Sequence, residues 1–248
     1  MKATALYLFL PLFLLALASL LTGCGSSEPS GTSTSADEAG QTDTAPPPPS
    51  GSTAPTILVL GNSLAAGYGL DDPDQAFPGL IQQKIDSLGW DFRVVNAGVS
   101  GETTAGGLSR IDWLLRQEVD VLILELGGND GLRGIATEAT RENLQAIIDR
   151  TRDRYPDVQV ILAGMQIPPN LGQAYTTRFR DLYPALAEAA DVHLIPFLLE
   201  GVGGVRRLNQ GDGIHPTAEG QRIVAENVWK TLKPVLESIR REEPTPAG

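Results

Sequence analysis

TILVLGNSLAAGYGL (residues 56–70) begins with a mostly apolar, β-prone run and continues into small and polar residues. A strand that is apolar at successive rather than alternate positions is typical of a parallel sheet covered on both faces. Four later runs have the same character, and they read FRVVNA (92–97), VDVLILEL (119–126), VQVILAG (158–164) and VHLIPF (192–197). We therefore predict five strands in one parallel sheet.

Longer helical patterns separate these strands, at residues 76–88, 103–117, 138–155, 174–190 and 217–240. Pro184 lies inside the fourth pattern and is predicted to kink or restart that helix. One face of the same pattern is predicted to pack in the core, and it carries Tyr175, Phe179, Leu182, Tyr183 and Leu186. The alternation predicts an α/β fold, a flavodoxin-like three-layer α/β/α sandwich, and the strand order 2-1-3-4-5 suits it.

The composition excludes several classes of protein. The chain has 248 residues, of which 42% are hydrophobic, so it can form an ordinary globular core. A net charge of −11 provides no basic surface for nucleic acid. One Cys excludes an internal disulfide framework and a Cys-based metal cage, and two His argue against a His-rich metal site. The glycine fingerprints of P-loop and dinucleotide enzymes are absent after the first strand.

The first residues are interpreted as a targeting sequence. Residues 1–23 place Lys2 before a long apolar run, which is typical of a secretory signal peptide. The residues from Leu21 to Cys24 resemble a bacterial lipobox, in which a peptidase cuts before the Cys and its thiol is lipidated. A permanent membrane-spanning helix is the alternative, although Pro11 interrupts the run. We expect a lipid anchor at Cys24 that holds the protein in the cell envelope, outside the cytoplasmic membrane.

The remaining chain divides into three predicted parts. Residues 24–55 are rich in Ser, Thr, Pro and Gly and are predicted to form a disordered tether. Residues 56–240 form the predicted folded domain, and residues 241–248 a flexible tail. The lack of a second Cys permits a monomer, which is the expected state.

Polar residues follow the predicted strands where an open parallel sheet binds its ligands, beyond the carboxyl ends. Ser63 follows the first strand, Gly101 the second and Asn129 the third, whereas Asp212 and His215 follow the fifth. A Ser hydroxyl becomes a good nucleophile when a base removes its proton, and His215 is the candidate base. Asp212, three residues earlier, can orient the imidazole. The Ser63 amide, the Gly101 amide and the Asn129 side chain are candidate donors to an acyl oxyanion.

Each of these residues also has an ordinary structural interpretation. Alone, Ser63 would be a turn residue and Asn129 would be placed for its tolerance of left-handed backbone. Their joint placement after four strands favours nucleophilic catalysis instead. His193 lies inside a strand run without an acidic partner nearby and is interpreted as structural. The GVGG segment at 201–204 is interpreted as a flexible loop, and the two arginines that follow it as solvated, with a small anion site as the alternative.

Four ordered blocks resemble the SGNH hydrolase (GDSL esterase) superfamily, in particular its bacterial arylesterase and acyl-thioesterase/lysophospholipase branch. The blocks read ILVLGNSLAAGYGL, VVNAGVSGETTAGGLSRI, LILELGGNDGLRG and DGIHPTAEGQ. The resemblance implies a nucleophile at Ser63, oxyanion donors at Gly101 and Asn129, and a base at His215 oriented by Asp212. It also implies an α/β/α sandwich without metal or organic cofactor.

The expected function is therefore that of a serine esterase acting on carboxylic or thioesters through an acyl-enzyme. Short-to-medium acyl esters or lysophospholipids are the expected substrates. The alternatives are a carbohydrate or peptidoglycan O-acetyl esterase on the same fold, or a surface binding protein without turnover. One departure from the family pattern is Asn62, where the family usually has Asp. We expect this difference to change local hydrogen bonds without abolishing activity.

Overall fold

The structure, a computed structural model, describes residues 54–242. The predicted signal peptide, the lipidation site at Cys24 and nearly all of the predicted tether lie outside the described residues, as do residues 243–248. These assignments, the domain boundaries and the monomeric state stay predictions. Within the described part of the chain, no helix combines the length and the apolar character that crossing a membrane requires.

Five parallel strands form one sheet, as predicted, and their order is β2-β1-β3-β4-β5, which suits the predicted fold. The strands are β1 (Thr56–Gly61), β2 (Arg93–Asn96), β3 (Val121–Glu125), β4 (Gln159–Ala163) and β5 (His193–Ile195). The prediction that each strand is covered on both faces of the sheet holds for β1 and β3, whose residues are all buried. It is wrong for the edge strands β2 and β5, which expose Asn96 and His193 because an edge strand has a neighbour on one side only.

Seven α-helices connect or follow the strands in the described residues. They are α1 (Ser63–Ala66), α2 (Phe77–Ser87), α3 (Thr104–Leu114), α4 (Gly128–Leu132), α5 (Thr137–Arg154), α6 (Gln173–Ala190) and α7 (Ala218–Glu242). α5 packs against α3 and α6, whereas α2 packs against α7, which gives the two helical layers of the predicted sandwich. The predicted α6 core face is confirmed: four of its five side chains are buried, and Tyr175 packs partly buried against them.

Two local predictions differ from the structure. α6 continues through Pro184, so the predicted restart is absent. Pro184 is exposed, and water can therefore satisfy the carbonyl that loses its helical partner. The segment after β3 forms the short helix α4, where the glycine-flanked Asn129 predicted a turn.

Candidate active site

The nucleophile candidate Ser63 is the first residue of α1, directly beyond the carboxyl end of β1. Asn62 caps this helix, since its Oδ1 accepts a hydrogen bond from the Leu64 amide at 3.0 Å. Gly61 permits the sharp strand-to-helix connection, because a Cβ there would lie 2.6 Å from both Glu125 Oε2 and Ala65 Cβ. The tight turn therefore fixes the buried Ser63 at the edge of the sheet.

Ser63, His215 and Asp212 form a continuous hydrogen-bonded chain. His215 Nε2 lies 2.9 Å from Ser63 Oγ, and His215 Nδ1 lies 2.6 Å from Asp212 Oδ2. Ser63 and His215 are 152 positions apart in sequence, so the parallel sheet brings them together. The structure thus joins the three residues that the sequence predicted for nucleophilic catalysis, in the order nucleophile, base and orienting carboxylate.

Asp212 is held as an anion. Its pKa is lowered to about 2, chiefly by the hydrogen bond with His215 and further by the amides of Ile214 and His215. Both amides donate to Oδ1, which leaves Oδ2 for the imidazole. A carboxylate in this position accepts a hydrogen bond from the protonated Nδ1 of His215. The unprotonated Nε2 then faces the Ser63 hydroxyl.

The predicted oxyanion donors lie on two adjoining segments. Gly101 follows β2 with a φ of +81°, a backbone conformation that favours glycine. Asn129 lies in α4 rather than in a turn, and its Nδ2 donates to the Glu102 carbonyl at 2.8 Å. That amide group carries a second hydrogen, so one donor is available to another acceptor. Arg133 donates to the Gly101 carbonyl at 3.0 Å and thereby joins α4 to the same loop.

The loop that carries Gly101 also contacts the nucleophile segment. The Val99 amide donates to the Gly61 carbonyl at 3.0 Å, and Asn96 Nδ2 donates to the Ala65 carbonyl at 2.8 Å. Gly98 packs so closely on α1 that a Cβ would lie 2.9 Å from Ala65 Cβ. The segments after β1, β2 and β3 therefore form one connected site beside Ser63.

Comparisons with known proteins agree with this geometry. Residues 59–223 match the GDSL-like lipase/acylhydrolase family. The chain belongs to this family. It is 46% identical to the esterase TesA of Pseudomonas aeruginosa over 184 residues, which are 74% of this chain and 90% of that protein. It is 39% identical to an arylesterase of Vibrio mimicus over 177 residues, 71% of this chain and 87% of that one.

Solved structures show the same relationship. A crystal structure of TesA is 45% identical, covers 73% of this chain and 99% of its own, and has a TM-score of 0.69. The psychrotrophic esterase EstA from Pseudoalteromonas, inhibited by monoethylphosphonate, is 33% identical with 73% and 98% coverage and a TM-score of 0.69. The predicted family, fold and enzyme class are confirmed, and this GDSL-family protein is an ester-bond hydrolase.

Glu125 belongs to the site of this GDSL hydrolase, although it was not among the predicted site residues. Its side chain is fully buried and accepts hydrogen bonds from the Asn62 amide at 2.9 Å and from Asn62 Nδ2 at 2.8 Å. Burial raises the pKa of Glu125 to about 8, although the hydrogen bonds from Asn62 oppose the shift. The one acidic residue at the end of an otherwise apolar strand was the available signal. Asn62 therefore couples the nucleophile turn to a buried ionisable group.

Replacing Asn62 by Asp is expected to make this GDSL hydrolase sensitive to alkaline pH. Two carboxyl groups would then face each other in a buried site, where one of them must keep a proton. Raising the pH removes that proton, and the repulsion then displaces the turn that carries Ser63. At pH 9 we expect kcat/KM to fall by about tenfold or more relative to the unchanged protein, and to remain close to it at pH 6. The pH profile of kcat/KM measures this difference.

The matched rescue exchanges the two chemical groups. In the double variant Asn62→Asp with Glu125→Gln, one amide and one carboxylate still face each other, with donor and acceptor reversed. We expect the alkaline loss to disappear in this variant. A double variant as sensitive to alkaline pH as Asn62→Asp alone would contradict the role given to the pair.

Proposed function

We propose that this esterase acts through an acyl-enzyme formed on Ser63. Ser63 Oγ bonds to the acyl carbon while its proton passes to His215 Nε2. The ester bond then breaks, and His215 returns the proton to the leaving alcohol or thiol. Water attacks the acyl-enzyme by the same proton route, which releases the acid and restores Ser63. The observation that carries this proposal is the hydrogen-bonded chain from Ser63 through His215 to Asp212.

Negative charge develops on the acyl oxygen in both steps. The Ser63 amide, the Gly101 amide and Asn129 Nδ2 are the proposed donors to it. Support comes from the positive φ of Gly101, which presents its backbone without a side chain, and from the hydrogen bond that holds Asn129 to the neighbouring loop. Such preorganised donors stabilise the oxyanion without reorganisation at the moment of reaction.

The proposed substrates are short-to-medium acyl esters, including aryl esters and lysophospholipids. Relatives named arylesterase and thioesterase 1/protease 1/lysophospholipase L1 support this choice, the latter from Escherichia coli K12 and 38% identical. Thioesters are the other class that the same acyl transfer accepts. An O-acetyl esterase acting on carbohydrate or peptidoglycan would use the same residues and differ in acyl-chain preference.

The test is an acyl-chain series of p-nitrophenyl esters from acetyl to palmitoyl, together with lysophosphatidylcholine. We expect hydrolysis with an optimum at short-to-medium chains. A fluorophosphonate should label Ser63, and the rate of hydrolysis should fall in proportion to the fraction of Ser63 that is labelled. Peptide mass spectrometry locates the label. Strict acetyl preference would favour the O-acetyl esterase. A folded protein that neither hydrolyses esters nor reacts with fluorophosphonate would refute the acyl-enzyme and favour the binding protein.

We also propose that Cys24 is lipidated and anchors the enzyme in the cell envelope. The sequence support is the lipobox-like residues that precede Cys24 and the polar residues that follow it. Cys24→Ala is expected to shift the protein from the membrane fraction to the soluble fraction or to block its maturation. Fractionation of cells that express the two forms measures this, and identical membrane fractions would contradict the anchor.

A further inference from the structure

Tyr68 lies against the catalytic imidazole. The ring centroids of Tyr68 and His215 are 4.5 Å apart, and the ring planes are tilted by 42°. Tyr68 follows Gly67, the left-handed cap of α1, so the loop that leaves the nucleophile helix returns across His215. The Tyr68 side chain is 53% exposed. It therefore covers His215 from the solvent side and contributes little to the core.

Gln210 connects this loop to the segment that carries Asp212 and His215. Its Nε2 donates to the Tyr68 carbonyl at 2.7 Å and to the Pro216 carbonyl at 3.1 Å. Its backbone amide donates to the His215 carbonyl at 2.7 Å. One residue thus contacts the backbone on the nucleophile side, at Tyr68, and on the base side, at His215 and Pro216.

The approach between the two segments is close. Gly69 has a φ of +72°, and a Cβ at this position would overlap the Gln210 side chain. The Gln210 carbonyl also accepts from the Gly213 amide at 2.9 Å, which tightens the turn between Asp212 and His215. Gly69 therefore permits a hydrogen-bonded contact that a larger residue would open, while Gly213 supplies the positive φ of +72° in the turn.

We propose that Tyr68 and Gln210 are positioning residues that act through His215, an inference that rests on the proposed acyl-enzyme mechanism. Gln210 holds the nucleophile loop and the base loop at a fixed separation. Tyr68 restricts rotation of the imidazole, and its π-face attracts the imidazolium that forms when His215 takes the Ser63 proton. Tyr68 thus stabilises the charged state of the base during the reaction, and Gln210 keeps the two loops in place.

This role has a specific consequence for the pH profile. The His215 ring is joined to Asp212 and Ser63 by hydrogen bonds and to Tyr68 by ring contact, and Asp212 supplies an anion. Removing the Tyr68 ring takes away attraction for imidazolium and leaves the Asp212 contact in place. The acid limb of kcat/KM should therefore move to lower pH, by about half a pH unit.

The test compares Tyr68→Leu with Tyr68→Phe, which keeps the ring. For Tyr68→Leu we expect kcat to fall about tenfold with KM nearly unchanged, together with the shift of the acid limb. Tyr68→Phe should retain both kcat and the position of the limb. A higher KM with unchanged kcat would overturn the role and assign Tyr68 to substrate contact. A reduced kcat in both variants, with the acid limb unshifted, would overturn it and assign Tyr68 to packing.

Gln210→Leu tests the second half of the pair. It keeps approximate size but removes the donor to both carbonyls, and we expect about a tenfold loss of kcat and slower fluorophosphonate labelling of Ser63. Gln145→Leu, at a partly exposed position of α5 where the side chain donates only to exposed Asp149, is the matched control and should be unchanged. Labelling of Gln210→Leu at the unchanged rate would overturn its role. If Gln210→Leu fails to fold, Tyr68→Leu decides, because the Tyr68 side chain is half exposed.

Fluorophosphonate labelling of the unchanged enzyme separates this inference from the proposed function. If the unchanged enzyme is not labelled at Ser63, the acyl-enzyme mechanism fails and the inference falls with it. If it is labelled while both Tyr68→Leu and Gln210→Leu keep the unchanged rate and pH profile, the mechanism stands and only the positioning role is refuted.

Discussion

Replacing either Ser63 or His215 by Ala is expected to lower kcat for an activated ester by about 10⁵-fold or more, and replacing both should lower it little further. The two side chains share one proton, since His215 Nε2 lies 2.9 Å from Ser63 Oγ. Without Ser63 there is no oxygen to form the acyl-enzyme. Without His215 the hydroxyl keeps its proton and is a weak nucleophile. Because each loss removes the same step, the effects of the two substitutions do not multiply.

The measurement is the steady-state rate with p-nitrophenyl butyrate for both single variants and the double variant. His193→Ala is the matched control for the histidine, since His193 lies exposed on the edge strand β5 and its ring lies 3.4 Å from Gln159 Oε1. It should retain the unchanged rate. A His215→Ala variant with more than a few per cent of the unchanged kcat, or a double variant whose loss equals the product of the single losses, would refute the shared step.

The fold was predictable because the strand pattern is strong. β1, β3 and β4 are almost entirely apolar and buried, so their existence and parallel direction follow from the sequence, whereas their order in the sheet does not. The edge strands are shorter than predicted, since β5 contains only His193–Ile195. Apolar residues beyond it, such as Leu198, are buried without belonging to a strand, and hydropathy alone does not separate these two cases.

Site residues with reactive side chains could be predicted from the sequence. Residues that act through hydrogen bonds to the backbone could not. Ser63, Asp212 and His215 carry reactive side chains after predicted strands, and the structure brings them into direct contact. Gln210 carries no reactive group. Its proposed role comes from hydrogen bonds to carbonyl groups 142 positions and six positions away in the sequence. Long-range contacts of this kind depend on loop geometry, which local sequence patterns do not specify.

Asp212→Asn is expected to lower kcat/KM by about 10²- to 10⁴-fold. The reason lies in how the two carboxylate oxygens are used. Oδ1 accepts from the amides of Ile214 and His215, at 2.9 and 3.0 Å, and Oδ2 accepts from His215 Nδ1. An Asn side chain has only one oxygen. If that oxygen satisfies the backbone amides, its NH₂ group faces Nδ1 and favours the tautomer with the proton on Nε2.

That tautomer presents a donor to Ser63 and cannot accept its proton. Asp212→Ala lacks the NH₂ group and leaves the tautomer free, so we expect it to retain more activity than Asp212→Asn. Asp71→Asn, an exposed position, is the matched charge control and should be unaffected. An Asp212→Asn variant within tenfold of the unchanged kcat/KM would show that the tautomer is not set by this carboxylate.

The low pKa of Asp212 predicts how this loss depends on pH. The carboxyl group becomes protonated only as the pH approaches about 2, because the hydrogen bond with His215 stabilises its ionised form. Between pH 5 and pH 9 the unchanged enzyme therefore always contains the anion, whereas Asp212→Asn never does. The ratio of their kcat/KM values should stay large throughout that interval, while Asn62→Asp loses activity only at its alkaline end. The two substitutions thus separate a carboxylate that orients the base at every working pH from a buried pair that depends on one retained proton.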